Sequence, residues 1–357
     1  MNKENAAHNL LNRTLESGWF VSKKIEKSDN QTGAFFSACY LVEKDGETCF
    51  LKAFDFSKFL TMSRPNQKVV DVMSDMLTAY RYERDLSEHC KNKHVTKVAF
   101  VKVADEELVS GYSISIVPYL IFDLADGDVR KKLDFSKKLD YAWRLKSLHD
   151  VAIGLKQLHA VEVTHQDLKP SNILVYESKE SKIGDLGRSI CRDIEGPYNK
   201  LLFSGDYTYA PPEIMYGYYE SDWLKRVFAT DCYLLGSLIT FYFSGISMSA
   251  LLRKHIPDNF GWERWNGIYE ELVPYLEDGF IAALHEFEQN ILEYKDKEEL
   301  TKLVQYLCHP LPAKRGHPKS VNSRGSNFNL ERFISRLDYL KRKAEIAINI
   351  KQFGKSI

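Results

Sequence analysis

The chain carries no excess charge of either sign: 49 Lys+Arg face 49 Asp+Glu over 357 residues. A protein that coats nucleic acid or an anionic membrane needs a basic surplus, so neither is expected as a partner. Paired cysteines are also lacking. Cys39, Cys49, Cys90, Cys191, Cys232 and Cys308 form no C-x-x-C, which argues against a zinc or disulfide framework and fits scattered thiols in a reducing compartment. The first eighteen residues have no apolar core of the signal-peptide kind. One apolar run, 232–252, approaches membrane-span length. Gly236, Ser237, Thr240, Ser244, Gly245, Ser247 and Ser249 interrupt it and no basic cluster flanks it, so it reads as a buried helix followed by a loop. Internal repeats and low-complexity stretches are missing as well. These absences together predict a cytoplasmic globular protein without a membrane anchor.

What is present is ordinary globular composition, 44% hydrophobic and 27% charged. Residues 19–54 read as strands, with Asp45-Gly46 as a hairpin signal between apolar runs at 36–42 and 48–54. A helical stripe covers 66–91, and strand character returns at 95–103 and 112–124. From about 139 the pattern is mainly helical, at 141–159, 229–242, 269–285, 300–307 and 330–348, with short strands at 173–175 and 181–183. Residues 310–329 are rich in Pro, Gly, Ser and Asn and read as a loop. The last helix, with Leu330, Phe333, Ile334, Leu337 and Leu340 at helical spacing, is expected to pack on the helical part. A strand-rich first third and a helical remainder predict an α+β architecture in two parts: an extension at 1–18, a small part at 19–124 and a larger one at 125–357.

The chemistry concentrates in His165-Gln166-Asp167-Leu168-Lys169-Pro170-Ser171-Asn172, followed by Asp185-Leu186-Gly187. Two carboxylates, an amine and an amide at these offsets are what phosphoryl transfer from ATP needs: a base, a counter-charge and two metal anchors. Asp167 can accept or orient an attacking hydroxyl, Lys169 can neutralise charge on the transferred group, and Asn172 and Asp185 offer oxygen ligands to a hard cation. The segment resembles the H-R-D-L-x-x-x-N loop and D-F-G motif of the eukaryotic-type protein kinases.

That resemblance implies a bilobal kinase-like fold, with a β-rich N-lobe and a helical C-lobe, covering roughly residues 19–320. It implies ATP and Mg2+ as cofactors, with Mn2+ as an alternative ion, and protein substrates as partners. Lys52, in Cys49-Phe50-Leu51-Lys52-Ala53-Phe54, resembles the strand lysine that grips the ATP phosphates. Its helix partner is expected to be Glu83, with Glu88 as the alternative, and the long interval between lysine and glutamate implies an extra loop or longer helix near 60–70. Where the family has G-x-G-x-x-G, only Gly33 is retained; Gly33 and Ala38 are the nucleotide contacts expected there. Residues 119–128 resemble the hinge: adenine would bond near Asp123 and Ala125, and Asp128 would reach the ribose. A core strand ending in an Asp-Gly turn gives nearly the same pattern.

Gly205-Asp206-Tyr207-Thr208-Tyr209-Ala210-Pro211-Pro212-Glu213 resembles the end of an activation segment, and Arg315 stands where the family pairs an arginine with its glutamate. Asp231 matches the aspartate that opens the central helix and steadies the catalytic loop, although such an acid also fits a plain helix cap. Lys169-Pro170 resembles the serine/threonine branch, with Asp206 replacing its usual threonine. Gln166 replaces the arginine of H-R-D, so the chain is expected to be constitutively competent or controlled by a regulatory protein partner. These departures resemble divergent bacterial or phage kinases of this type. A pseudokinase scaffold and a small-molecule hydroxyl kinase stand as the alternative readings.

Overall fold

The computed structural model describes residues 5–26, 37–61, 68–135 and 141–353. The chain divides into two compact units. The first comprises Met1–Asp126 with Gly184–Gly187 and Ile194–Pro197; the second comprises Gly127–Ile183, Arg188–Asp193 and Tyr198–Ile357. The expected α+β class holds, and the two units differ in kind as expected.

The first unit is built on β1 (Phe20–Ile25), β2 (Ser37–Lys44), β3 (Glu47–Phe54), β4 (Val101–Leu108) and β5 (Ile116–Asp123). They form one antiparallel sheet in the order β1-β2-β3-β5-β4. The β2–β3 hairpin turns at Asp45-Gly46, where both residues take positive φ (52° and 81°), a conformation that Gly and Asp tolerate best. Between β3 and β4 run α1 (Phe56–Thr61) and α2 (Val69–Asn92). One face of the sheet buries Val21, Tyr40, Val42, Leu51, Tyr119 and Ile121, and residues 5–18 add Ala6, Ala7, Leu10 and Leu15 to that core.

Strand β4 lies six residues beyond its expected start at 95. The apolar residues that suggested the earlier position, Val95, Val98 and Ala99, are buried in the turn after α2. The strand itself is at a sheet edge and carries the acidic run Asp105-Glu106-Glu107, which edge strands favour.

The second unit contains β6 (Gly127–Asp128), α3 (Val129–Phe135), α4 (Tyr141–Ala160), β7 (Val163–Thr164), β8 (Ile173–Val175), β9 (Ser181–Ile183) and β10 (Ile190–Cys191). After them come α5 (Pro212–Met215), α6 (Trp223–Ser244), α7 (Met248–His255), α8 (Tyr269–Asn290), α9 (Lys297–Leu307), α10 (Ser320–Arg324) and α11 (Glu331–Phe353). Helix α6 is the central element, and it is long and apolar enough to cross a membrane; most of it is buried inside the unit. The apolar run 232–252 is therefore not a helix and a loop. It covers the rest of α6, a left-handed turn at Gly245 and most of α7, which Ser247 caps through the Ala250 amide. Residues 310–329, expected as loop, contain the short α10. Helix α11 packs on α4 and buries Phe333, Leu337 and Leu340.

Candidate functional site

In the first unit, β3 presents Lys52 and α2 presents Glu83. The Lys52 Nζ lies 2.9 Å from both Glu83 carboxylate oxygens, a bidentate contact, and 3.1 Å from Asp185 Oδ1. Glu83 is nearly inaccessible, while Glu88 is exposed on the other side of α2. Burial by itself would lower the Lys52 pKa, but Asp185 and Glu83 outweigh it and hold the amine above its usual range. Burial pushes the Glu83 carboxyl up, Lys52 opposing and Asp185 adding to the effect. The extra interval expected between Lys52 and Glu83 holds α1 and the start of α2; residues 62–67 lie outside the described ones.

Asp185 takes a left-handed conformation, φ 57°, the kind of strained backbone found at functional positions. Gly187 follows because a Cβ there would stand 2.8 Å from Glu83 Oε2 and 3.2 Å from Asp185 Oδ1. A side chain at 187 would collide with the two carboxylates that hold Lys52.

In the second unit, Asp167, Lys169 and Asn172 come together with Asp206. Asp167 Oδ1 accepts the Asp206 backbone N–H at 2.8 Å, and Asp167 Oδ2 accepts from Asn172 Nδ2 at 3.0 Å. Lys169 Nζ bridges Asp167 Oδ2 and Asp206 Oδ2, each at 3.2 Å. Burial opposes the charge on Lys169, yet Asp167 and Asp206 raise its pKa above the ordinary value. Burial likewise opposes the Asp206 carboxylate, but its bonds to Thr208 and the charge of Lys169 keep it below the usual carboxylate range. The part played by Asp206 is not readable from spacing, because it joins residues 37 and 39 positions apart in the chain.

The loop backbone is fixed by Asp231, which accepts from the His165 and Gln166 amides at 2.8 Å each. His159 Nε2 also lies 2.9 Å from this carboxylate. Asp231 does not open its helix, as the sequence suggested. Helix α6 begins at Trp223, with Asp222 capping it through the Lys225 amide, so Asp231 sits two turns inside and is not a cap. Gln166 is held at φ 62°, and its amide donates to Val227 O at 2.9 Å and Asp231 Oδ1 at 3.2 Å. Gly205 packs on the Gln166 carbonyl, where a Cβ would come within 2.1 Å of the oxygen. Arg315, fully buried, makes a two-pronged ion pair with Glu213, 2.5 Å on each arm.

The remaining expected contacts are more dispersed. Gly33 lies outside the described residues. Ala38 is buried opposite Ala53 in the sheet core. Asp123, exposed at the end of β5, lies 3.6 Å from Lys102 Nζ, and Ala125 is half-buried just beyond it. In the second unit, Asp128 accepts from the Lys131 amide at the start of α3.

Residues 57–324 match the family model described as Protein kinase domain. The chain is 34% identical to Aurora/IPL1-related protein kinase 2 of Caenorhabditis elegans over 34% of its own length and 37% of the relative's. It is 30% identical to mitogen-activated protein kinase HOG1 of Ustilaginoidea virens over 46% of its length and 44% of the relative's. To stress-activated protein kinase JNK of Suberites domuncula it is 25% identical, over 51% and 54%. The chain thus spans between about a third and a half of the length of these curated relatives.

Proposed function

We propose that this chain, which belongs to the protein kinase family, transfers the γ-phosphoryl group of ATP to serine or threonine hydroxyls of proteins. The observation that carries this reading is the pair of preassembled ionic clusters, Lys52–Glu83–Asp185 and Asp167–Lys169–Asp206–Asn172. Phosphoryl transfer asks for little covalent chemistry from a protein; it asks for position and charge.

Lys52 would bind the non-transferred phosphates, with Glu83 fixing its direction. Asp167 would hold the substrate hydroxyl in line with the γ-phosphorus and accept its proton. The new oxygen–phosphorus bond forms as the bond to the β-phosphate oxygen breaks, and ADP leaves. Lys169 would balance the charge that builds on the transferred group. Each donor suits a hard divalent cation by its chemistry: Asp185 carries a carboxylate that is 37% exposed, and Asn172 carries an amide oxygen whose protein partner is Ser171 Oγ at a long 3.5 Å. When bound, Mg2+ or Mn2+ supplies charge neutralisation on the phosphates. Two observations favour a protein substrate over a small molecule: the buried Glu213–Arg315 pair, and the 205–213 segment that touches Asp167 through Asp206.

The test is incubation of the pure protein with γ-labelled ATP and Mg2+, alone and with a mixed protein extract, beside Asp185→Asn. Label on protein serine and threonine, lost in the variant, supports the reading. Nucleotide binding without transfer would replace it with a scaffold, and label on small molecules alone would replace it with a metabolite kinase.

A further inference from the structure

Residues 5–18 precede the stretch that matches the kinase model, yet they complete the apolar core of the first unit. Polar contacts fix them along their length. The Tyr40 hydroxyl donates to Ala7 O at 2.8 Å, Lys24 Nζ donates to His8 O at 3.2 Å, and Ser17 Oγ meets the Tyr119 hydroxyl at 2.6 Å. The beginning of this segment converges on one buried carboxylate. Asp55, 3% exposed, accepts from Asn5 Nδ2, lies 3.0 Å from His8 Nε2, and accepts the Lys58 amide at 2.9 Å. Burial alone would raise the Asp55 carboxyl; its bonds to His8, Lys58 and Asn5 keep it below the ordinary value.

Asp55 stands where β3 passes into α1, three residues after Lys52. Its neighbour Phe54 lies beside Lys52 and beside Tyr80 of α2. The Lys52 Nζ lies 5.5 Å from the Phe54 ring centre, and the Tyr80 ring meets Phe54 edge-on at 5.3 Å. Tyr80 and Glu83 are three residues apart on α2 and so share a face. Phe54, Phe56, Met76 and Tyr80 belong to one apolar cluster. The path from Asn5 and His8 to Lys52 and Glu83 thus runs through hydrogen bonds to Asp55, the chain link from Asp55 to Phe54, and the Phe54 contacts to Lys52 and Tyr80.

We propose that Asp55 is a positioning residue for the Lys52–Glu83 pair, and that Asn5 and His8 are the groups that hold Asp55 in place. The consequence for turnover rests on the phosphate-gripping role proposed above for Lys52; the geometric coupling does not. The N-terminal segment is then an internal support of the nucleotide-binding half. A change in that segment is felt at Lys52 without any contact to nucleotide.

The experiment reads Lys52 directly. Acylation of lysines by an amine-reactive ester is followed by peptide mass mapping in the full chain, for wild type, His8→Ala, Asp55→Asn and Tyr40→Phe. A lysine clamped between carboxylates reacts slowly. Loosening the clamp through the network should speed Lys52 acylation roughly tenfold in His8→Ala and Asp55→Asn, the size expected of a coupled residue outside the site. Tyr40→Phe removes a bond of the same segment away from Asp55, so it should lower the melting temperature and leave the Lys52 rate within about twofold. The His8→Ala effect should vanish in the Asp55→Asn background. Lowered melting temperatures with an unchanged Lys52 rate would overturn the proposal and leave Asp55 a purely structural residue. Should Asp55→Asn fail to fold, His8→Ala decides alone. Acylation requires no turnover, so the coupling is measurable even in a chain that lacks kinase activity.

Discussion

The two ionic clusters are assembled in different ways. Lys52, Glu83 and Asp185 come from a strand, a helix and a short segment far along the chain, and side-chain bonds join them. Asp167, Lys169 and Asn172 lie within six residues of one another, and backbone groups join the side-chain contacts that link them. Asp231 holds two loop amides, Asn172 holds the Asp167 carbonyl, and Asp206 reaches Asp167 through its own amide. Because only side chains join it, the first cluster is expected to tolerate a change of like shape without unfolding its unit. The second is continuous with the core of its unit, because Asp231 in the buried helix α6 holds the His165 and Gln166 amides of its loop. The difference suggests that nucleotide grip is the adjustable part of this protein and the transfer loop the fixed part.

That contrast can be broken by stability measurements. Arg315→Ala leaves Glu213 as an uncompensated buried charge and should cost about 3–5 kcal/mol in chemical denaturation. Asp231→Ala strands the His165 and Gln166 amides and should cost about 1–3 kcal/mol, with phosphoryl transfer falling in parallel. Glu83→Gln should behave in the opposite manner. It keeps the shape of the side chain, so unfolding should shift by no more than about 1 kcal/mol, while transfer falls by about one to two orders of magnitude. Loss of stability in Glu83→Gln as large as in Arg315→Ala would erase the distinction between the clusters.

A pH dependence is also expected in the second unit. Burial, aided by Lys314, lowers the His309 pKa to about 4, and the His309 carbonyl accepts from Arg315 Nε at 2.7 Å. A histidine whose folded pKa is depressed contributes fully above its ordinary pKa, about 6.5, and loses that contribution as pH falls toward 4. Melting temperature should therefore fall between pH 6.5 and 4. His309→Gln should flatten that part of the curve, and an unchanged slope would assign the dependence to other groups.

The parts of the site that a reader of the sequence can find are the local ones. Asp167, Lys169 and Asn172 sit within one octapeptide, and their juxtaposition follows from a single turn. Lys52 is visible as a charge in an apolar strand, but its partner depends on the rotation of α2, which buries Glu83 and exposes Glu88. Asp206 and Asp55 make local bonds to Thr208 and Lys58 that say nothing of the site; their links to Lys169, Asp167 and His8 exist only in the folded chain. The differences in element boundaries have the same origin. Apolar residues point to a strand from 95, but the buried turn before β4 holds them and the edge strand is acidic. Gly245 ends α6 within a run whose hydrophobicity continues into α7. Hydrophobic pattern reports burial, and burial alone does not say where an element stops.

The proposed division of labour is tested most directly by measuring ATP affinity and phosphoryl transfer side by side in Asp167→Asn and Lys52→Ala. Asp167→Asn should bind Mg2+–ATP like wild type and transfer nothing measurable, while Lys52→Ala should lose at least about tenfold in ATP affinity. Transfer retained in Asp167→Asn, or ATP affinity unchanged in Lys52→Ala, would contradict it.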